Sequence, residues 1–208
     1  MSDLMRYAAA LEDMTGRAAA PVERWNPEFC GDINLVIKSD GVWFYEGTPI
    51  GRARLVHLFS TVLKREGDDY FLVTPAEKLG ITVEDAPFVA VLMRQEETSN
   101  GQQRLVFTSN VGEEVVAGPD HPISFREVAE SGPRAPYIEV RAGLEARVAR
   151  AVYYDLVALG ETRQIDGVEL FGVASEGVFF PFEAAHVMRD GDEQGLDNDG
   201  ERIDDPKA

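Results

Sequence analysis

Cysteine is almost absent from this sequence, and histidine is scarce. The only cysteine among the 208 residues is Cys30, so the chain has neither an intrachain disulfide nor a cysteine-rich metal site. We expect Cys30 to be a buried structural thiol, because no base that would activate it can be identified. The histidines His57, His121 and His186 lie 64 and 65 residues apart, whereas metal-binding histidines usually follow one another within a few residues. The sequence therefore predicts no metal site and no cofactor.

Long apolar runs and positive charge are also lacking. No apolar run approaches the roughly 18 residues of a membrane-spanning helix, and the N-terminus lacks the pattern of a signal peptide. We expect a cytoplasmic protein without membrane insertion. The net charge of −17 excludes nucleic acid as a partner bound through a generally basic surface. Four arginines that lie close in sequence could still form a local basic patch: Arg134, Arg141, Arg147 and Arg150.

The motifs of familiar enzyme classes are missing as well. The chain has no Gly-x-x-x-x-Gly-Lys phosphate loop and no Gly-x-Gly-x-x-Gly between a strand and a helix. Ser175 lies between Gly172 and Gly177 at the wrong spacing for a nucleophile elbow, in a segment that predicts a hairpin. We therefore predict a protein without catalytic activity and assign no catalytic residue. The alternative is an enzyme with an unfamiliar carboxylate and arginine site, which a cleft carboxylate of raised pKa would indicate.

Residues 40–63 form the stretch around which the chain is organised. Asp40-Gly41 predicts a turn between strands at residues 33–38 and 42–45, because glycine accepts a positive φ angle and aspartate bonds its own backbone. Thr48-Pro49 is typical of a helix start, with threonine as the N-cap. Apolar residues then recur every three to four positions, which predicts an amphipathic helix that ends near Lys64-Arg65.

Arg52 and Arg54 do not fit the predicted start of this helix. Cations in the first turn are disfavoured by the helix dipole by about 0.3–1 kcal/mol each. One interpretation is a surface ion pair with Glu46 or another carboxylate. The other is an arginine pair that faces an anionic ligand or partner.

The rest of the chain predicts strands, two short helical segments and one further long helix. Strands are predicted at residues 70–73, 88–94, 104–108, 114–117, 137–141, 167–174 and 178–182. Capping-box patterns at Thr74 and Ser124 predict short helical segments, and a periodic apolar stripe predicts a long helix over residues 144–159. An N-terminal helix is expected at residues 2–14, and an acidic disordered tail at residues 190–208.

The two long predicted helices point to an internal duplication. Residues 54–63 align without gaps to residues 147–156, so that Arg54 falls on Arg147 and Phe59 on Val152. Any two amphipathic helices would align about as well, but we favour a duplicated strand–strand–helix–strand unit. The predicted fold class is α+β with antiparallel sheets in two similar repeats. The predicted boundaries are an N-terminal helix and linker over residues 1–30, repeats over residues 31–86 and 87–189, and the tail.

Residues from about Trp25 to Phe182 resemble an uncharacterised proteobacterial protein family, a domain of unknown function of about this length. The resemblance rests on the order and spacing of these motifs: Trp25-x-Pro27, Asp32-Ile33, Asp40-Gly41-x-Trp43-x-Tyr45-x-Gly47-x-Pro49-Ile50-x-Arg52, Leu58-Phe59-Ser60, Leu72-Val73-Thr74-Pro75-x-Glu77-Lys78, Val83-Glu84-Asp85-Ala86-Pro87-Phe88, Tyr137-x-x-Val140-Arg141 and Leu170-Phe171-Gly172-Val173-x-Ser175-x-Gly177-x-Phe179-Phe180. Membership implies a duplicated α+β fold, a C-terminal half similar to pleckstrin-homology-like domains, a ligand site between the halves and a role in signal transduction. No single motif encodes a chemistry.

The sequence leads to a regulatory protein that binds a small molecule in the cleft between its two repeats. Arg52, Arg54 and Arg141 are the predicted charge anchors, and Trp43 and Tyr45 the predicted apolar wall. The alternative is a protein–protein interaction module, which a large exposed apolar patch would favour. The sequence does not distinguish an unknown small molecule from a protein partner, nor does it give the oligomeric state.

Overall fold

The computed structural model describes Leu11, residues 19–127 and residues 134–184. The predicted N-terminal helix lies outside these residues except for Leu11, whose side chain is fully buried. The predicted acidic tail also lies outside them.

The described chain is mostly β-strand, with two α-helices and a short 3₁₀ turn. In chain order the elements are the 3₁₀ turn Val22–Arg24, β1 Phe29–Ile37, β2 Trp43–Tyr45, β3 Thr48–Pro49, α1 Ala53–Ser60, β4 Leu63–Glu66, β5 Asp69–Val73, β6 Lys78–Val83, β7 Phe88–Glu97, β8 Gln103–Ser109, β9 Glu114–Val116, β10 Ile123–Glu127, β11 Arg134–Arg141, β12 Leu144–Val148, α2 Arg150–Ala158, β13 Glu161–Ile165, β14 Val168–Ser175 and β15 Val178–Ala184. In the part of the chain that the structure describes, no helix is long and apolar enough to cross a membrane.

The strands form two six-stranded sheets of the same topology and one small sheet. The first sheet has the order β3-β2-β1-β6-β5-β4 and the second the order β10-β11-β12-β7-β8-β9. Each consists of two three-stranded antiparallel meanders, joined where the first strand of one lies parallel to the last strand of the other, β1 to β6 and β7 to β12. β13, β14 and β15 form a fifth meander. The sheets are therefore similar, as a duplication predicts, but mixed rather than purely antiparallel.

The two helices occupy different places in this pattern. α1 joins the two meanders of the first sheet, whereas α2 follows the second sheet and leads into the third. Each helix still lies between two meanders. Their N-caps, Arg52 and Ala149, are 97 residues apart, and the alignment of Arg54 with Arg147 implies 93. The predicted alignment is thus wrong by four residues, about one helical turn, a shift that leaves an apolar stripe on the same helix face.

Both long helices are shorter than predicted. Thr48-Pro49 lies in β3, α1 begins at Ala53, and Lys64 and Arg65 lie in β4. Residues 144–148 form β12 instead of the first turns of a helix. Leu144, Ala146 and Val148 alternate with less buried neighbours there. Apolar residues four apart fit both the helical and the strand period, so Leu144 and Val148 alone could not distinguish the two.

Neither capping-box pattern begins a helix. The first caps a turn, and the second lies within a strand. Thr74 Oγ1 accepts hydrogen bonds from the N–H groups of Ala76 and Glu77 at 3.2 and 3.0 Å, as a cap does, but the chain then enters β6 at Lys78. Ser124 lies in β10. A capping box satisfies local N–H groups, whereas a continuing helix also needs an apolar stripe to bury.

One buried apolar cluster runs through both sheets. It includes Leu35 and Trp43 of the first sheet, Phe107 and Ile138 of the second, and Phe180 of the third. The prediction that Cys30 is buried is wrong. Cys30 is exposed, because β1 enters the core only at its later residues, from Leu35 onward.

The β1–β2 turn fits tightly against the second sheet. Asn110, in the β8–β9 turn, donates a hydrogen bond from Nδ2 to the carbonyl oxygen of Gly41 at 3.1 Å, and its Oδ1 accepts one from the N–H of Val89 at 3.1 Å. Gly41 has a φ angle of +84°, and a Cβ there would lie 2.7 Å from Asn110 Nδ2 and 2.8 Å from Val89 Cγ2. A glycine is therefore required for both its conformation and its space.

We expect Gly41→Ala to destabilise the protein by about 2–4 kcal/mol, the sum of a left-handed conformation and an overfilled contact. Gly47→Ala is the matched control, since Gly47 has a φ angle of +73° and nothing within 4 Å of the added Cβ. Gly47→Ala should destabilise the protein only by the cost of the left-handed conformation, about 1–2 kcal/mol. Urea denaturation measures both. Equal losses in the two variants would show that the turn does not press against the second sheet.

Candidate functional site

A groove with a volume of about 520 Å³ opens between the two halves of the chain. The β1–β2 turn and α1 form one side, and the β8–β9 turn forms the other through Asn110 and Val111. Two of the five predicted site residues, Trp43 and Arg54, line this groove, together with His57. We call it the Trp43 groove.

The start of α1 gives the groove a positive end. Arg52 is the N-cap, with extended backbone angles, and its side chain makes no capping hydrogen bond. No acidic residue lies in the first turn, where Arg54 is exposed beside the groove. Uncapped first-turn N–H groups and the helix dipole both favour an anion at such a position, and the arginine strengthens that preference.

Trp43 contributes a buried donor. Its side chain is 1% exposed, and its Nε1 has no hydrogen-bond partner among the described residues. A buried donor without an acceptor costs about 1–3 kcal/mol, and most buried side-chain polar atoms are paired. Trp43 lines the groove, and its N–H lacks a hydrogen-bond acceptor among the described residues.

His57 of α1 also lines the groove, and its hydrogen bond determines which ring nitrogen carries the hydrogen. Its Nδ1 lies 3.0 Å from the carbonyl oxygen of Val111 in the second half. A carbonyl only accepts, so Nδ1 carries the hydrogen in this contact, and Nε2 is left as an acceptor in the neutral ring or a donor in the cation. The sequence predicts His57 at the edge of the core, and the residue is indeed half-buried.

The other three predicted site residues do not line the groove. Tyr45 is half-buried in β2 and packs against the core, and Arg52 is exposed at the N-cap. Arg141 lies elsewhere in the boundary between the halves: it pairs with Glu113, donates from Nη2 to the carbonyl oxygen of Ser60 at 2.6 Å, and sits 5.3 Å from the ring centre of Phe88. Its partners indicate that it fastens the C-terminal end of α1 to the second half.

A second cavity of about 610 Å³ lies on the other side of the β1–β2 turn. Arg134 of β11, Arg147 of β12 and Arg150 of α2 line it, so three of the four arginines noted from their spacing converge here. Ser39 and Asp40 of the turn, and the side chains of Tyr153 and Tyr154, complete its wall. We call it the arginine pocket; sequence reasoning placed no ligand site there.

A polar network joins the wall of this cavity to the first half of the chain. Asp85 accepts a hydrogen bond from the hydroxyl of Tyr137 at 2.8 Å and another from Arg147 at 3.2 Å. Burial raises the pKa of the Tyr137 hydroxyl, and the hydrogen bond to Asp85 raises that pKa further. The guanidinium of Arg126 lies 3.5 Å from the ring centre of Tyr137.

The described residues contain no cluster of metal ligands, and the carboxyl groups with shifted pKa values lie outside both cavities. In the part of the chain that the structure describes, no group of three or more histidine, cysteine or acidic residues could hold a metal ion. Neighbouring cations and backbone N–H groups lower the pKa values of the carboxyl groups of Glu66, Glu84 and Glu114. These shifts stabilise the charged form and are typical of surface ion pairs rather than of a general acid.

Comparison with known families divides the chain in two. Residues 20–86 match the N-terminal domain of the domain of unknown function DUF1285, and residues 87–182 match the C-terminal domain of the same family. The resemblance to an uncharacterised family is confirmed. No curated protein matches the sequence.

Two solved structures are similar to this chain. One is a DUF1285 family protein from Silicibacter pomeroyi DSS-3, with 45% sequence identity and a TM-score of 0.81 over 91% of this chain and 99% of that one. The other is a DUF1285 family protein from Shewanella baltica OS155, with 27% identity and a TM-score of 0.45 over 60% of this chain and 90% of that one.

We expect Arg141→Gln to lower the free energy of unfolding by about 2–3 kcal/mol, because it leaves the Ser60 carbonyl and Glu113 without their charged partner. Arg163→Gln is the matched control, since Arg163 pairs with Glu161 at the exposed strand β13. This variant should lower the free energy of unfolding by no more than about 0.5 kcal/mol. Chemical denaturation distinguishes the two. If Arg141→Gln instead keeps full stability but loses a ligand, Arg141 is the charge anchor that its sequence position predicts.

Proposed function

The chain belongs to the DUF1285 family, a family of unknown function, and we propose that it is a regulatory protein that binds a small anionic molecule in the Trp43 groove without transforming it. The observations that carry this proposal are the orphaned indole N–H of Trp43, a residue that lines the groove, and the uncapped start of α1 beside it.

Four kinds of group at the groove favour an anionic ligand with several acceptors. The first-turn N–H groups of α1 would hold a carboxylate or phosphate, and Arg54 would add a charge-assisted bond. The indole N–H of Trp43 would take a further acceptor after a small shift of the side chains around it. His57 Nε2 would accept from a ligand hydroxyl or, when protonated, donate to the anion.

The position of the groove supports a regulatory role. A volume of about 520 Å³ falls within the range of small-molecule sites. Because the first half contributes α1 and the second contributes Asn110 and Val111, a bound molecule would touch both. A ligand that prefers one arrangement of the halves shifts the population toward it, which is the minimum that a signalling protein needs.

The alternatives have less to support them. Among the large exposed apolar side chains, Val91 adjoins Leu92 in β7, and Ile165 lies opposite Val168 across β13 and β14. A protein-docking surface needs a larger contiguous patch than such a pair. An enzyme would be supported by a cleft carboxyl group with a raised pKa; the carboxyl groups of Glu66, Glu84 and Glu114, whose pKa values are lowered, lie outside both cavities. The pleckstrin-homology-like character of residues 87–182 also stays a proposal, supported by the antiparallel meanders and by the packing of α2 on β7.

We expect a thermal-shift screen to find the ligand among nucleotides, cyclic dinucleotides, phosphorylated metabolites and organic acids. A ligand at about 100 times its Kd stabilises the folded state by about 2.7 kcal/mol, which raises the Tm of a chain of this size by about 5–10 °C. Trp43→Phe and Arg54→Gln should each weaken the binding by about tenfold or more, the worth of one hydrogen bond to an anion. Arg163→Gln, with the same loss of charge at an exposed ion pair, should bind normally.

The Trp25→Phe variant adds a direct readout, because it leaves Trp43 as the only tryptophan. Ligand at the groove should then change the fluorescence of Trp43. A ligand that stabilises the protein but leaves this fluorescence unchanged, and binds equally well to Trp43→Phe, would place the site elsewhere. No hit in the whole panel would argue for a protein partner.

A further inference from the structure

We propose that the arginine pocket is a second binding site, and that it takes an anionic group carried on a flat aromatic ring, as in an aryl phosphate or a nucleotide. The convergence of three arginines with two tyrosines over an apolar floor carries this inference. It does not depend on the Trp43 groove.

The charge of the pocket is opposite to that of the protein. The chain has 37 acidic and 20 basic residues, yet Arg134, Arg147 and Arg150 reach the same cavity from three different elements. Cations placed together repel one another, so such a cluster is unfavourable unless something offsets it. In a strongly acidic chain, neighbouring carboxylates are the obvious compensation.

That compensation is incomplete among the described residues. Arg147 pairs with Asp85 at 3.2 Å. Arg134 donates to the carbonyl oxygen of Phe125 at 2.6 Å, and Arg150 donates to the hydroxyl of Tyr154 at 3.0 Å, and neither has a described carboxylate within ion-pair distance. Asp40 also lines the cavity, but its carboxylate accepts a hydrogen bond from the N–H of Val42 and makes no ion pair with Arg134 or Arg150, so these two charges are available to an external anion.

The start of α2 adds to this preference for an anion. Its N-cap, Ala149, has no side chain that could cap the helix, and no acidic residue lies in its first turn. Arg150 occupies the first helical position, where the dipole alone would disfavour a cation. An anion at this point would satisfy first-turn N–H groups and Arg150 together.

The remaining wall suits a ring. Ala135, Pro136 and Val148 supply an apolar floor, and Tyr153 and Tyr154 stand beside it with ring centres 6.4 Å apart. The guanidinium of Arg150 already lies 5.6 Å from the ring centre of Tyr154. Tyrosines and arginine planes stack on aromatic rings, and a volume of about 610 Å³ admits a ring with its phosphate.

The test uses phenyl phosphate as the probe, with isothermal titration calorimetry and the full-length protein. Inorganic phosphate and phenol serve as the two halves of the probe. We expect phenyl phosphate to bind at least about tenfold more tightly than either half. Arg134→Gln and Arg150→Gln should each weaken the binding of phenyl phosphate by about tenfold, the loss of one charge-assisted hydrogen bond. Arg163→Gln, which removes one charge at exposed β13, should leave it unchanged.

The outcomes separate the parts of the proposal. Equal binding of phenyl phosphate to the wild type and to both pocket variants overturns it, and so does the absence of binding at about 10 mM, a concentration at which even weak sites fill. Inorganic phosphate that binds as tightly as phenyl phosphate overturns the aromatic part. Trp43→Phe should bind phenyl phosphate normally. The proposal for the Trp43 groove could then be wrong without affecting the result for the arginine pocket.

Discussion

The side chain of Asn110 holds the β1–β2 turn against the second sheet, and both cavities depend on that contact. Its carboxamide joins the carbonyl of Gly41 in the first half to the N–H of Val89 in the second. On one side of the turn, Gly41 and Trp43 face the Trp43 groove; on the other, Ser39 and Asp40 face the arginine pocket. The turn is thus a wall common to two sites, and a shift of the turn would change both. Because a Cβ at Gly41 would collide with Asn110 and Val89, this wall has little room to move unless the halves move with it.

Each half also contains a helix that has arginine at its start and lacks a side-chain cap. In α1 the arginines are Arg52 and Arg54, and in α2 the arginine is Arg150. Globular proteins usually place acidic residues or capping hydroxyls at such positions, because they satisfy N–H groups and the dipole. Here both helix starts open onto cavities at the boundary between the halves. The same departure from an ordinary helix start occurs twice, and both proposed anion sites rest on it.

Sequence patterns predicted the β1–β2 hairpin, most strands and the existence of both helices, because these depend on neighbours a few residues away. They misplaced the helix ends: Leu144 and Val148 fit strand and helix periods equally, and Thr48-Pro49 has the residue types of a helix start but pairs with β2. In the candidate site, Trp43 and Arg54 were found from an aromatic hairpin and a cation in the wrong turn. Arg141 was predicted at the end of a strand, and its charge is engaged by Glu113 and by the end of α1.

The sequence by itself determined the composition of the core, the acidity of the chain, the turns that need glycine and the arginine pair near the start of the first helix, since each follows from local residue chemistry. Only the tertiary structure decided which of those features meet. It paired β1 with β6 and β7 with β12 in parallel, left the Trp43 indole N–H without an acceptor among the described residues, and gathered Arg134, Arg147 and Arg150 around one cavity. The reason is that parallel pairing and convergence join residues far apart in the chain. Their geometry is set by the packing of whole sheets, on which a local pattern carries no information.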